Sequence, residues 1–251
     1  MKHENRANGS STALILGASG TLGGAITQEL GCRGYSLGLH YNLQKELCEN
    51  LASAAALKGI HARCFSSDFC DPKAPAALVS GFLKEFSRID VLVCAAGIVR
   101  DGPVIALKEQ DFRAVVNVNL RALFLVFKAL SRQFIRQKSG SIVVLSSHAG
   151  VAGRAGGSAY AMAHSGALAL VKSAAREWGP LGVRVNAVLP PFVSDSGMGR
   201  MASPGFASKV EARCVLKSQS NDIETFARLV GNVLENPRIS GQVLSNDSRI
   251  L

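Results

Sequence analysis

The sequence has no CxxC pair. Its six cysteines, at positions 32, 48, 64, 70, 94 and 214, are too widely spaced for a zinc or dithiol motif, and several fall in apolar runs. They read as buried, reduced thiols of a cytosolic protein rather than as a disulfide framework. No stretch approaches the ~18 consecutive apolar residues that a membrane span needs. The apolar run ALIL near the N-terminus is too short for a signal-peptide core, and glycines follow it at once. Lysine or arginine runs and zinc-finger spacings are missing too, so nucleic acid is the weakest of the partners that the charge allows. Linkers, internal repeats and low-complexity segments are not found. The expectation is a soluble, cytoplasmic protein with no membrane span, no nucleic-acid partner and no metal site.

What the sequence does have is apolar content, 47% of 251 residues, enough for a sizeable core. That length suits one large α/β domain. We expect it over residues 11–251, after a polar, flexible tail over residues 1–10 (MKHENRANGS). The formal charge of +10 reads either as an ordinary basic surface or as attraction for an anionic partner, such as a phosphorylated cofactor or an acidic carrier protein.

Short apolar runs alternate with longer periodic ones. TALILG, YSLGLHY, HARCFSSD, IDVLVCAAG, GSIVVLSS and VRVNAVLP read as strands. Most are almost continuously apolar, as strands covered on both faces must be. Helix-like periodicity falls at 24–31, 43–57, 76–86, 109–136 and 160–178. This rhythm predicts a doubly wound, Rossmann-type parallel sheet with helices on both faces. The stretch 192–216, rich in Ser, Gly and Met, reads either as a lid over a site or as an ordinary surface loop.

After the first strand comes LILGASGTLGGAI, in which Gly17, Gly20 and Gly23 recur three apart. Such a turn, here with Ser19 and Leu22 inside it, lets backbone approach a pyrophosphate and aims helix N–H groups at it. An acidic residue about 20 positions later would bind the ribose of NAD. At the second strand end this chain has LHYNLQK, with His40, Asn42 and Lys45 and no carboxylate. Nothing there repels a 2′-phosphate, so NADP is favoured. Lys45 could attract that phosphate or simply be an exposed helix residue.

Further motifs follow: Asp68 after the third strand, CAAG (Cys94–Gly97) after the fourth, NVNL (Asn117–Leu120), LSS ending in Ser147, and SAYAMAHSG with Tyr160 and His164 one helical turn apart. Taken singly, Ser147 reads as well as a helix cap or strand end, Asn119 as a solvent-facing helix residue and Tyr160 as core. Together they resemble the short-chain dehydrogenase/reductase family over nearly the whole chain, and AAGIVRDG and ISGQVL resemble its 3-oxoacyl-[acyl-carrier-protein] reductases most.

The resemblance implies that Tyr160 protonates a ketone oxygen during hydride transfer from NADPH and that Ser147 hydrogen-bonds the same oxygen. It implies that Asn119 holds a water in a proton relay and that Asp68 bonds the adenine amino group. Ala96 and Gly97 would pass close to the adenosine ribose, and Pro190 and Val193 would lie beside the nicotinamide. His164 stands where the family has a lysine, and a neutral histidine helps a tyrosine ionise far less than a cation does. PP at Pro190–Pro191 replaces the family's Pro-Gly, VSDSGM only loosely matches Thr-Asp-Met, and NDSR replaces Asp-Gly-Gly. Lys138 and Arg176 roughly match the basic residues that dock an acidic carrier, and they read equally as a solvated basic surface.

Two functions are therefore expected. One is an NADPH-dependent reductase of carrier-bound 3-oxoacyl thioesters, in a fatty-acid-like or polyketide-like pathway, assembled as a homo-oligomer (tetramer or dimer). The alternative is a catalytically impaired, nucleotide-binding or structural subunit partnering an active paralogue.

Overall fold

The computed structural model describes residues 11–194, 196–201, 205–216 and 222–249. The N-terminal tail and parts of the expected lid (195 and 202–204) lie outside the described residues. Seven parallel strands form one sheet: β1 (Thr12–Leu16), β2 (Ser36–Tyr41), β3 (Ala62–Ser66), β4 (Val91–Cys94), β5 (Gly140–Leu145), β6 (Val183–Leu189) and β7 (Val243–Ser245). Their spatial order is β3-β2-β1-β4-β5-β6-β7.

Side chains alternate across this sheet and make two cores. Leu14 and Leu16 of β1, with Leu92 and Cys94 of β4, point to one face. There they meet α3 (Ala74–Phe86), α5 (Ala122–Gln137) and α7 (Ser158–Trp178) through Phe82, Phe127, Leu130 and Val171. Ala13 and Ile15, with Val91 and Val93, point to the other. That face is covered by α1 (Thr21–Cys32), α2 (Lys45–Ala56) and α9 (Ile223–Glu235) through Ile26, Leu30, Cys48 and Phe226. Burial on both faces is why the strands read as unbroken apolar runs.

Six strands fall within the apolar runs read from the sequence. The seventh spans only three residues, too few for a pattern. α9 carried a legible signal that went unread: Asp222 caps it by accepting a hydrogen bond from the Glu224 N–H at 2.9 Å, ahead of apolar Phe226, Val230 and Val233. The long periodic run at 109–136 is divided into α4 (Glu109–Val116), a π-helical turn (Asn117–Arg121) and α5. The run Glu109–Gln137 is long enough, and apolar enough over one 18-residue window, to cross a membrane, yet Val126, Phe127, Leu130 and Phe134 of it pack in the core. Within 192–216, a short helix α8 (Phe206–Ala212) stands where no regular element was expected.

Of the cysteines, Cys48 and Cys94 are buried, with burial holding both thiols well above their ordinary range. Cys32 and Cys70 are exposed, against the expectation of burial, and all six are free thiols.

Candidate active site

Between β1 and β4 the strand order reverses, which opens a crevice at the carboxyl ends of the strands. The glycine turn lies there. Gly17 has φ +77°, and a Cβ on it would sit 2.8 Å from the Cα of Ala96. A Cβ on Gly23 would be 2.1 Å from the Gly17 carbonyl oxygen. Gly20 immediately precedes α1 as its N-cap, and no side chain caps that helix. Bare backbone at a helix N-terminus, packed this closely, fits a dinucleotide pyrophosphate. Ser19 and Leu22 are half-buried in the same turn.

His40 does not face this crevice. It is buried and stacks on Phe69 with ring centroids 4.4 Å apart. Its Nδ1 accepts from the Gly17 N–H at 3.0 Å, and its Nε2 lies 3.0 Å from the Ser67 carbonyl. Both ring nitrogens are thus spent on the protein, so the expected ribose contact is replaced by a brace on the glycine turn. Burial holds its pKa below the ordinary histidine value, consistent with that neutral role. Asn42 and Lys45 are exposed at the β2 end, Lys45 lying 3.5 Å from Glu49. Asp68 is exposed, with Oδ1 accepting from the Cys70 N–H at 2.9 Å. Ala96 and Gly97 are half-buried beside the turn.

Asn119 sits in the π-helical turn, almost fully buried. Its Oδ1 accepts from the Ile98 N–H and its Nδ2 donates to the Ile98 carbonyl, both at 2.9 Å. The amide therefore clamps the loop after β4.

Ser147 follows β5, and its Oγ accepts from the Ala149 N–H at 3.1 Å. Tyr160, in the first turn of α7, lines the same cavity as Ser147. Burial is the largest influence on the Tyr160 phenol and raises its pKa; the nearby Ser147 hydroxyl and Arg154 pull it down, and Asp101 pushes it up. His164 lies one turn further along, its ring 4.2 Å from the Tyr160 ring, centroid to centroid. Both of its ring nitrogens are buried without a hydrogen-bond partner. Burial pushes its pKa down to about 4, so the ring is neutral at ordinary pH.

Ser147, Tyr160, Pro190, Pro191 and Val193 line a cavity of about 430 Å³. The rest of its wall is largely apolar, including Val99, Met198, Phe206 and Val210, so part of the stretch 192–216 lines it. Four cations reach it: Arg154, Lys209, Arg213 and Arg249. Arg154 pairs with Asp101 at 2.5 Å. Arg249 pairs with Asp247, whose Oδ1 is also 3.3 Å from His148 Nε2; this holds the Asp247 carboxyl well below its ordinary range. The sequence reading took Met198, Phe206, Lys209, Val210 and Arg213 only as part of the stretch 192–216, took Asp247 and Arg249 only as part of NDSR, and missed Arg154. The signal of Arg154 was weak, since it lies in a turn whose path sequence alone does not give.

Lys138 and Arg176 are exposed but do not line the cavity. Lys138 ends α5, at the start of β5, while Ser147 lies past the other end of that strand. Arg176 follows Tyr160 on α7 by about 24 Å at ~1.5 Å per residue. Within one chain they stand toward the opposite end of the strands from Ser147.

Among known proteins, the profile of the short chain dehydrogenase family matches residues 11–205. A 3-oxoacyl-[acyl-carrier-protein] reductase of Staphylococcus aureus is 35% identical over 182 residues, 72% of this chain and 74% of that protein. The nodulation protein G of Rhizobium meliloti is 33% identical over 184 residues, 73% of this chain and 74% of that protein. Among solved structures, an NAD⁺-bound xylitol dehydrogenase is similar with a TM-score of 0.87 at 27% identity, covering 95% of this chain and 98% of its own. A Burkholderia cenocepacia short chain dehydrogenase in complex with NADP also has a TM-score of 0.87, at 28% identity, covering 98% of this chain and 99% of its own.

Proposed function

The chain belongs to the short-chain dehydrogenase family, and on that premise we propose that it is an NADPH-dependent ketoreductase. It reduces a 3-oxoacyl thioester, carried on an acyl carrier protein, to the 3-hydroxyacyl product in fatty-acid-like or polyketide-like biosynthesis. The observation that carries this reading is the Ser147–Tyr160 pair on the wall of an apolar cavity beside the glycine turn. The sequence likeness to a carrier-protein reductase supports the substrate class.

A bound nicotinamide supplies the hydride. The Ser147 Oγ takes the Ala149 N–H, which leaves its own O–H to donate to the ketone oxygen. Tyr160 gives its phenolic proton to that oxygen as charge develops there. The apolar wall keeps water from the reacting carbon and accepts the acyl chain. The uncapped start of α1 and the bare turn Gly17–Gly23 hold the pyrophosphate. The carboxylate-free end of β2, with exposed Asn42 and Lys45, supports NADP over NAD.

Lys209 and Arg213, with no ion pair among the described residues, suit the phosphate of a thioester arm at the cavity mouth. Exposed Phe124 and Met162, on α5 and α7, support assembly with further copies of the chain, and a cytoplasmic location goes with the reading.

One observation favours the second reading, an impaired nucleotide-binding or structural subunit: the buried, neutral, unpartnered His164 where the family likeness sets a lysine. The test is NADPH and NADH oxidation with acetoacetyl-CoA. The reductase reading expects turnover, faster with NADPH. Tight NADPH binding without turnover would favour the second reading.

A further inference from the structure

Tyr160 lies against a histidine that carries no charge, so a cation able to draw out its proton must come from elsewhere. Ser147 reaches it from the end of β5, and α4 brings the apolar Phe112 and Val115. Its own helix brings His164, and the loop after β4 brings Asp101. Across the cavity stand His148, Lys209, Arg213 and Arg249. The cation in contact is Arg154, from the turn before α7, whose Cζ sits 5.7 Å from the centroid of the Tyr160 ring.

Arg154 has a built seat. Its Nη2 is 2.5 Å from Asp101 Oδ1, its guanidinium also lies 5.7 Å from the Phe206 ring centroid, and it lines the cavity. A Cβ on Gly157 would come within 2.6 Å of Arg154 Nε, so the chain leaves that space to the arginine. The same Nε is buried without a hydrogen-bond partner.

We propose that Arg154 is the positioning cation of this site: held on Asp101, it supplies Tyr160 with the positive charge that His164 does not. An arginine stays charged throughout the working pH range and stacks on aromatic faces, so it can sit over the Tyr160 ring. A positive charge at ~6 Å in a partly buried site favours the phenolate by an amount that a neutral ring cannot match. Arg154 acts through Tyr160 and needs no contact with the ketone. Asp101 fixes it and tempers its charge, in keeping with the opposite directions in which the two act on the phenol.

The inference rests on the reductase reading only for its kinetic consequence, so its test is spectroscopic first. The chain has three tyrosines, Tyr35, Tyr41 and Tyr160. Protein labelled with 3-fluorotyrosine, whose phenol titrates lower than tyrosine's, gives a ¹⁹F signal for each, and loss of one in Tyr160→Phe assigns it. We expect Arg154→Gln to raise the titration midpoint of the Tyr160 signal by about one unit or more. Arg154→Lys should recover most of that shift, and His164→Gln should leave the midpoint unmoved. Unchanged Tyr35 and Tyr41 signals certify the fold, and Arg154→Met replaces Arg154→Gln if the latter does not fold.

In turnover, Arg154→Gln should lower kcat about tenfold with little change in KM, and Arg154→Lys should restore it in part. A Tyr160 midpoint unmoved by both neutral variants, or one that follows His164 instead, overturns the proposal. A midpoint that follows Arg154 in a protein without turnover upholds it and overturns the reductase reading.

Discussion

The Nδ1 of His40 accepts the backbone N–H of Gly17 at 3.0 Å, joining the end of β2 to the turn that follows β1. Its Nε2 meets the Ser67 carbonyl past the end of β3, so one neutral ring braces three successive strand ends. His40→Leu keeps the bulk and removes both bonds. It should cost about 1–3 kcal/mol, the usual consequence of stranding buried backbone groups. It should also weaken NADPH binding, because the freed Gly17 N–H belongs to the phosphate turn. Denaturant unfolding and a fluorescence titration with NADPH check both. An unchanged midpoint would mean that the ring is not bracing the turn.

Gly23→Ala tests the cradle itself. The added methyl would lie 2.1 Å from the Gly17 carbonyl oxygen, which is backbone and can yield only by moving the turn. We expect a loss of about 1–3 kcal/mol, as for overpacking elsewhere, and NADPH affinity reduced more than tenfold. Wild-type affinity in this variant would contradict the placement of the pyrophosphate.

Buried His164 makes stability fall in acid. Above pH ~6.5 the ring is neutral in both the folded and unfolded chain and titrates in neither. As pH drops, the unfolded chain takes up a proton that the folded ring refuses until about pH 4. The unfolded state then binds more protons, so stability declines between those values, by on the order of 3 kcal/mol for this group. His40 shifts in the same direction. Denaturant midpoints at pH 7.5 and 4.5 should differ strongly in wild type and less in His164→Met. Equal pH dependence in the two proteins would show that the ring is not buried as described.

Lys209 and Arg213 bring positive charge to the cavity mouth without an ion pair among the described residues. Replacing both by glutamine should raise KM for acetoacetyl-CoA about tenfold and leave KM for a neutral acetoacetyl thioester nearly unchanged. Rising ionic strength should erase the difference between variant and wild type. A uniform rise in both KM values would mean that the helix shapes the pocket rather than recognising an anion.

Much of this site was legible because it is written in local pattern. Strands buried on both faces read as apolar runs, and the three-residue spacing of Gly17, Gly20 and Gly23 marks a turn that tolerates no Cβ. Ser147 and Tyr160 are set by strand end and helix start. His40 was misread because its position at a strand end fits a ribose contact as well as a brace, and only its partners decide. The charge of Lys138 and Arg176 does not say which end of the sheet they occupy, and only the fold places them at the start of β5 and the end of α7. Arg154 was missed because it lies in a turn and is seated by Asp101, far off in sequence.

The central claim is hydride transfer to a 3-oxo carbon with Tyr160 as proton donor. The most direct measurement supplies NADPH deuterated at C4 on its transferable face and acetoacetyl-CoA to wild type and Tyr160→Phe, and reads deuterium at C3 of the product by mass spectrometry. The account predicts labelled 3-hydroxybutyryl product from wild type and at least ~100-fold less from Tyr160→Phe, with NADPH binding retained in both. No labelled product from wild type that binds NADPH, or equal product from the two proteins, would contradict it.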